Sequence, residues 1–469
     1  MLARDEGIMT QPIQPTRSSV EPPEPSISAE SYDTIIPEGD HQLSDRPKDE
    51  RRSGLKKIFG VLGPGLIAGA SDDDPSGVGT YAQTGAQTGY VFLWMALITY
   101  PMMVAVQLMC ARIGQVSGQG LATSIKQYYP KSILYPIVLL LIAANTFNVG
   151  ADLAAIAAGI NLLVPVPILI LIPPIAVTLV LLQVFAKYQL ISRIFKWLCL
   201  ALLAYIGTAI FSGANWGSVV KGTVIPHIPR TKDDIGLMIA ILGTTISPYL
   251  FFWQTGQEIE EEKAEGESTV AERKGATLRE LADRKLDVTI GMLANNVVMY
   301  FIILTTAATL NAHGKTNVNS ATEAASALKP LLGSGAELFW AIGIIGAGLL
   351  AIPVLTGSVG YAVSETFAWR HGLDEKPGNA KGFYGVIIAS TLVGMLLNYL
   401  GLNPIKALVY SAIINGITCP PLLLLVILLA NRKSVMGRFT NGKWSNIWGW
   451  GAFALMSVAT VAYFVTLFV

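Results

Sequence analysis

Three successive carboxylates, Asp72, Asp73 and Asp74, stand directly before Pro75 in a stretch that opens Gly63-Pro64-Gly65 and continues Ser76-Gly77-Val78-Gly79-Thr80. If this stretch lies in a bilayer, such charges are costly and must face protein, water or a cation. Successive helix residues point about 100° apart, so one unbroken helix could not aim all three at one spot. Pro75 disfavours helical backbone at Asp74 and removes the donor that would have served the Ser71 carbonyl. The helix is therefore expected to unwind around Asp74, baring carbonyls beside a carboxylate. A second break reads Gly243-Thr244-Thr245-Ile246-Ser247-Pro248-Tyr249-Leu250. Here Pro248 deprives the Thr244 carbonyl of its helical donor and pushes Ser247 toward an extended conformation. Carboxylate, freed carbonyls and the Thr244 and Ser247 hydroxyls form an all-oxygen set, and neither break contains Met, Cys or His. Oxygen ligands suit hard cations such as Mg²⁺, Ca²⁺ or Mn²⁺. A sparse site of small residues fits Mg²⁺, which keeps several waters, better than Ca²⁺, which takes about six to eight oxygens.

Long apolar helices must position these breaks. The chain has 469 residues, 52% hydrophobic and only 14% charged, with a mean hydropathy of +0.50. Soluble domains carry about 25% charged residues, so an ordinary soluble enzyme is excluded. The net charge of +1 gives no reason to expect nucleic acid. Eleven apolar segments, centred near residues 74, 100, 148, 177, 205, 246, 299, 353, 390, 417 and 459, approach the roughly 20 residues a spanning helix needs. The fold expected is an all-α membrane protein of eleven transmembrane helices over residues 58–469. Residues 1–57 are expected to form a disordered cytoplasmic tail. Seven of the 25 prolines fall in the first fifty residues, and no apolar core follows the early charges as a signal peptide requires. With that tail inside, 27 of the 33 Lys and Arg residues lie on its side of the membrane, which predicts N-terminus in and C-terminus out. Segment 257–286, with its Glu258 to Glu262 run, reads as a solvated cytoplasmic helix with ion pairs between the sixth and seventh spans. Segment 311–330 reads as a short surface helix on the other side. Cys110, Cys199 and Cys419 fall in apolar runs and are not expected to bridge.

Two broken spans, the first and the sixth, suggest a five-plus-five inverted repeat with a site near its midplane. The alternative is that both prolines merely kink continuous helices. Asn145, Asn148 and Asp152 share one face of the third span, as Ser411, Asn415 and Thr418 do on the tenth. Either stripe lines a hydrated path or hydrogen-bonds neighbouring helices, with path-lining favoured for Asp152. Asn295 and Asn296 read as interhelical glue, and Glu365, near Trp369 and Arg370, as an interfacial anchor. His41, His227, His313 and His371 all lie in the tail or loops, which weakens a proton relay.

The chain resembles the NRAMP (SLC11-type) divalent-metal transporters from about residue 58 to the end. Gly63-Pro64-Gly65, the Asp-Pro break, Ala151-Asp152-Leu153-Ala154 and the sixth-span proline occur in that family's order. The resemblance implies the LeuT-like 5+5 inverted repeat with broken helices 1 and 6. It makes Asp74 the metal-binding aspartate, with Gly77 where the Asp-Pro-Gly-Asn motif has asparagine. Ser247 and Tyr249 replace the methionine and histidine of Met-Pro-His, Thr244 takes the place of the carbonyl ligand, and Ala155 replaces a glutamate linked to proton transfer. This pattern is most similar to the NRAMP-related magnesium transporters. The metal site expected is Asp74, the Thr244 carbonyl, Ser247 and the room left by Gly77. Asp72, Asp73, Asp152 and Tyr249 are expected to stand behind the ligands or in the vestibule leading to them. The function expected is uncoupled Mg²⁺ transport, with Mn²⁺ also carried, at the plasma membrane. No resident cofactor, enzymatic activity or obligatory protein partner is expected beyond the lipid bilayer and the ions. The alternatives are a proton-coupled Mn²⁺/Fe²⁺ carrier with a variant site, an intramembrane aspartyl enzyme using Asp74 with Asp152, and a metal sensor without flux.

Overall fold

Apolar stretches separated by capping residues and prolines set the helix boundaries. The computed structural model describes residues 64–185, 200–229 and 231–468. The expected tail, His41 and Cys199 lie outside the described residues. The chain runs α1 (Pro64–Asp72), α2 (Pro75–Thr88), α3 (Met95–Ser117), α4 (Leu121–Tyr128), α5 (Lys131–Leu163) and α6 (Ile168–Phe185). Then follow α7 (Ala204–Phe211), α8 (Trp216–Val224), α9 (Lys232–Thr245), α10 (Pro248–Ala264), α11 (Val270–Arg273) and α12 (Leu278–Thr309). The last third comprises α13 (Ala321–Ser326), α14 (Lys329–Leu332), α15 (Ala336–Thr366), α16 (Lys381–Leu397), α17 (Pro404–Ala430), α18 (Lys433–Met436) and α19 (Lys443–Phe468).

Among the described residues nine helical stretches are long and apolar enough to cross a membrane. The first expected span is present as the two half-helices α1 and α2, and the fifth as the short apolar stretch ending at Phe211. Their arrangement separates centre from rim. The most apolar part of Lys232–Ala264 is wholly buried, whereas α6 and α19 bury only a small share of theirs, presenting Ile170, Phe185, Val461 and Phe468 outward as lipid-facing helices do. Around the centre, α5 packs on α15, α16 and α17, while α12 packs on α1, α2 and α3. The α1–α12 contact brings backbone to backbone. A Cβ on Gly69 would stand 2.2 Å from the Gly291 carbonyl oxygen, so only glycine permits that approach.

Proline alone does not break these helices. Pro101, Pro136, Pro353 and Pro420 all sit inside continuous helices, whereas Pro75 and Pro248 each occupy the first turn of a new one. The kinked-helix alternative therefore fails at both breaks.

Segment 257–286 is not one helix, although most of it past Ala264 is exposed and ion pairs run through it as expected. Its first residues extend α10, Thr269 and Thr277 each close a capping box with Glu272 and Glu280, and the rest begins α12. Glu258 is buried, and Arg284 bridges it at 2.8 Å, reaches Asp287 at 2.9 Å, and also contacts Glu261. Asp287 in turn accepts the N–H groups of Gly65 (2.7 Å) and Leu66 (3.0 Å) at the start of α1. The acidic run is thus an interhelical tie: its helical spacing turns Glu258 inward, a direction that composition does not reveal. Glu365 also departs from its expected surface role. It is buried and accepts the Thr123 N–H at 3.1 Å near the start of α4, where a carboxylate meets the positive end of a helix. Arg370 pairs instead with Glu375. Segment 311–330 contains a 3₁₀ turn, Asn311–His313, followed by α13.

Candidate metal site

Asp74 leaves helical backbone (φ −67°, ψ 167°) and caps α2. Its Oδ1 accepts the Gly77 N–H and the Ser76 hydroxyl, both at 2.7 Å, and its Oδ2 accepts the Asn148 side-chain amide at 3.0 Å. Asp72, the last residue of α1, crosses to the second break: its Oδ1 accepts the Ser247 hydroxyl at 2.7 Å, and its Oδ2 accepts the Asn295 amide. Asp73 is buried between them, and its Oδ1 has no protein partner. The three carboxylates therefore point to three different surroundings. Among the described residues, no three His, Cys, Asp or Glu side chains converge into a ligand cage. A cation here would depend on neutral oxygens as much as on charge.

The second break supplies such oxygens. The Thr244 hydroxyl donates back to the Ala240 and Ile241 carbonyls, at 3.0 and 3.1 Å. The Thr244 hydroxyl thus spends its proton on its own helix, while the Thr244 carbonyl is the one whose helical donor Pro248 removes. Ser247 is extended (φ −78°, ψ 123°), and its hydroxyl also lies 3.1 Å from the Gly243 carbonyl. The Tyr249 hydroxyl lies 3.4 Å from the Ser71 carbonyl, the one Pro75 deprived of its helical donor. Gly77 faces the same centre: a Cβ there would lie 3.4 Å from both the Asp72 carbonyl and Asp74 Oδ1, and 3.3 Å from Tyr81. Glycine lets these groups approach one another closely without a side chain between them.

The third span comes to Asp74 through Asn148. Asp152, one helical turn on, is fully buried, and neither carboxylate oxygen has a protein partner. It shares no hydrogen bond with Asp74. Asn145 turns to the Leu355 carbonyl at 3.1 Å. On α17, Ser411 and Thr418 bond to their own helix, while Asn415 is buried without a side-chain partner.

Two features escaped the sequence. Asn296 is indeed glue, donating to the Ala96 carbonyl and accepting from Thr99. Its neighbour Asn295 faces the other way and holds Asp72, and only packing distinguishes adjacent identical residues. Cys419, on α17, brings its thiol to the Ile246 carbonyl at 3.1 Å, so a sulfur does reach the second break from outside it. Cys110 and Cys419 are buried and unbridged. His227 and His313 are exposed at helix ends or loops. His371, in the loop after α15, is held below the ordinary imidazole value by burial.

Two discontinuous helices, meeting at a buried oxygen-rich centre inside a bundle of membrane-length helices, define a multi-pass membrane protein of the broken-helix class. The chain matches the family model described as "Nramp: Natural resistance-associated macrophage protein-like" over residues 65–466, and it belongs to that family. It is 28% identical over 403 residues to "Divalent metal cation transporter MntH" of Pectobacterium carotovorum, covering 84% of this chain and 91% of that protein. It is equally 28% identical over 418 residues to the MntH of Yersinia pestis, covering 87% and 95%. Among solved structures, an Eremococcus coleocola manganese transporter mutant superposes with a TM-score of 0.69 at 18% identity, covering 88% of this chain and 87% of that one. MhsT in complex with L-phenylalanine superposes at 0.54 with 14% identity, covering 86% and 98%. At these identities the structural likeness speaks to the fold: a LeuT-like arrangement of helices.

Proposed function

We propose that this protein carries divalent cations across the membrane by alternating access, with Mg²⁺ as its cargo, Mn²⁺ also accepted, and no coupling to protons. The transport class is supported by the relatives, whose names describe divalent metal cation transporters. The finer reading rests on one observation: the two breaks gather oxygens around Asp74, and Gly77 adds no ligand side chain there, a sparse set that suits an ion keeping several of its waters. Asp74 would be the charged ligand, joined by the Thr244 carbonyl and the Ser247 hydroxyl. The link from Asp72 to Ser247 brings the two half-helix ends together, the place where an ion would bridge them. The absence of histidine from both breaks favours a mechanism without protons. The loop charges orient the N-terminus inside and the C-terminus outside. An inside-negative potential then favours entry by about 2.3 kcal/mol per charge per 100 mV, about 4.6 for a divalent ion, sufficient for accumulation by a uniporter.

The test is uptake into liposomes loaded with a pH dye. Mg²⁺ should enter under an inside-negative potential without acidification, and Mn²⁺ should compete. Proton influx that scales with metal concentration would instead establish the coupled Mn²⁺/Fe²⁺ carrier. A second expectation concerns Gly77. Gly77→Asn places an amide between the Asp72 carbonyl and Asp74, displacing water from the ion. Mg²⁺ uptake should fall by about tenfold relative to Mn²⁺, because Mg²⁺ gives up its waters reluctantly. An unchanged ratio of the two rates would remove Gly77 from the selectivity argument.

A further inference from the structure

We propose that Asn148 supplies an amide oxygen to the transported cation or its bound water, a ligand brought by the third span beside the two broken helices. This inference rests on the reading of Asp74 as the charged ligand. Asp74 Oδ1 is already engaged by two donors, the Gly77 N–H and the Ser76 hydroxyl. Each carboxylate oxygen has about two acceptor directions, so Oδ1 is full. Oδ2 accepts only the Asn148 amide, which leaves one direction open there. A cation that reaches Asp74 without dismantling the α2 cap therefore arrives at Oδ2, beside Asn148.

The orientation of Asn148 follows from the same contact. An ionised carboxylate only accepts, so the amide must turn Nδ2 toward it, and its Oδ1 lies on the other arm of the same planar group. That places Oδ1 within about 5 Å of Asp74 Oδ2. Asn148 is fully buried and its Oδ1 has no protein partner. Buried amide oxygens are almost always paired, so this one is open to a donor, and the open side of Asp74 is where a cation or its bound water would meet it. Asn145, one turn earlier, uses its Nδ2 to tie the third span to α15 instead. Asn148 also bears on selectivity: it offers an amide oxygen from the third span where Gly77 presents none from the first.

Two variants separate a ligand from a strut. Asn148→Leu removes both the oxygen and the donor; Asn148→Asp keeps an oxygen, removes the donor to Asp74 and adds a second carboxylate beside it. Both are reconstituted in liposomes as folded, monodisperse protein, and the KM for Mg²⁺ is read with Vmax. If Asn148 is a ligand, Leu should raise KM by about tenfold, while Asp should hold KM at or below the wild-type value and lower Vmax through slower release. If Asn148 only braces Asp74, both variants lose the brace and KM rises alike; that result overturns the inference while leaving the transport reading intact. Failure of the wild-type protein to move any divalent cation would overturn the transport reading itself, and the inference with it.

Discussion

Replacing Asp74 with alanine should reduce divalent-cation uptake by more than about 100-fold, beyond the 10–100-fold typical of groups that only support a metal ligand. The substitution removes the charge proposed to face the ion, and it also strips α2 of its cap, since the Gly77 N–H and Ser76 hydroxyl lose their acceptor. Loss of such a cap costs about 1 kcal/mol, so a folding defect could imitate a binding defect. Asp74→Asn keeps the shape and one acceptor oxygen while removing the charge. Uptake by liposomes should be lost in both variants, with the Asn form melting closer to wild type. Transport retained in Asp74→Asn would remove charge at this position from the mechanism and redirect attention to Asp72, which reaches the second break through Ser247.

The second large effect is expected far from the site, at Arg284. Its guanidinium holds Glu258 and Asp287 within a nearly dry interior, the two carboxylates being 1% and 0% exposed. Removing one partner of a buried ion pair costs about 3–5 kcal/mol, because the remaining charge stays buried without compensation. Arg284→Met keeps much of the volume and removes the charge, and the purified protein should melt markedly lower in detergent. Adding Glu258→Gln to that variant should recover part of the loss, since contacting residues couple. Asp287 also binds the first two free N–H groups of α1, so the same substitution should loosen the half-helix that ends at Asp72. A melting temperature unchanged by Arg284→Met would show that the network contributes little.

The backbone breaks were legible because they follow from local covalent chemistry. A proline lacks its own N–H and so orphans the carbonyl four residues back, and a carboxylate just before it can cap the new helix; both are properties of neighbours in sequence. Pro101, Pro136 and Pro353 show the limit of that logic, since the same missing donor leaves their helices continuous. What differs at Pro75 and Pro248 is the company. Asp74 caps one new helix, while Ser247 finds Asp72 across 175 residues of chain. Asn295 and Asn296 make the same point at a single step of sequence, one reaching Asp72 and the other the Ala96 carbonyl.

The sequence by itself determined an all-helical membrane chain, the places where two helices unwind, and the oxygen groups that the two breaks themselves carry. Each of these follows from composition, hydrophobic length or the covalent peculiarity of proline; that the Cys419 thiol also reaches Ile246 was decided by packing. Only the tertiary structure decided which way the carboxylates point: Asp74 to Asn148, Asp72 to Ser247 and Asn295, and the acidic run after Gln257 inward to Arg284. Direction in a buried site is set by which distant helix packs alongside, and a partner hundreds of residues away leaves no trace in the local spacing of residues.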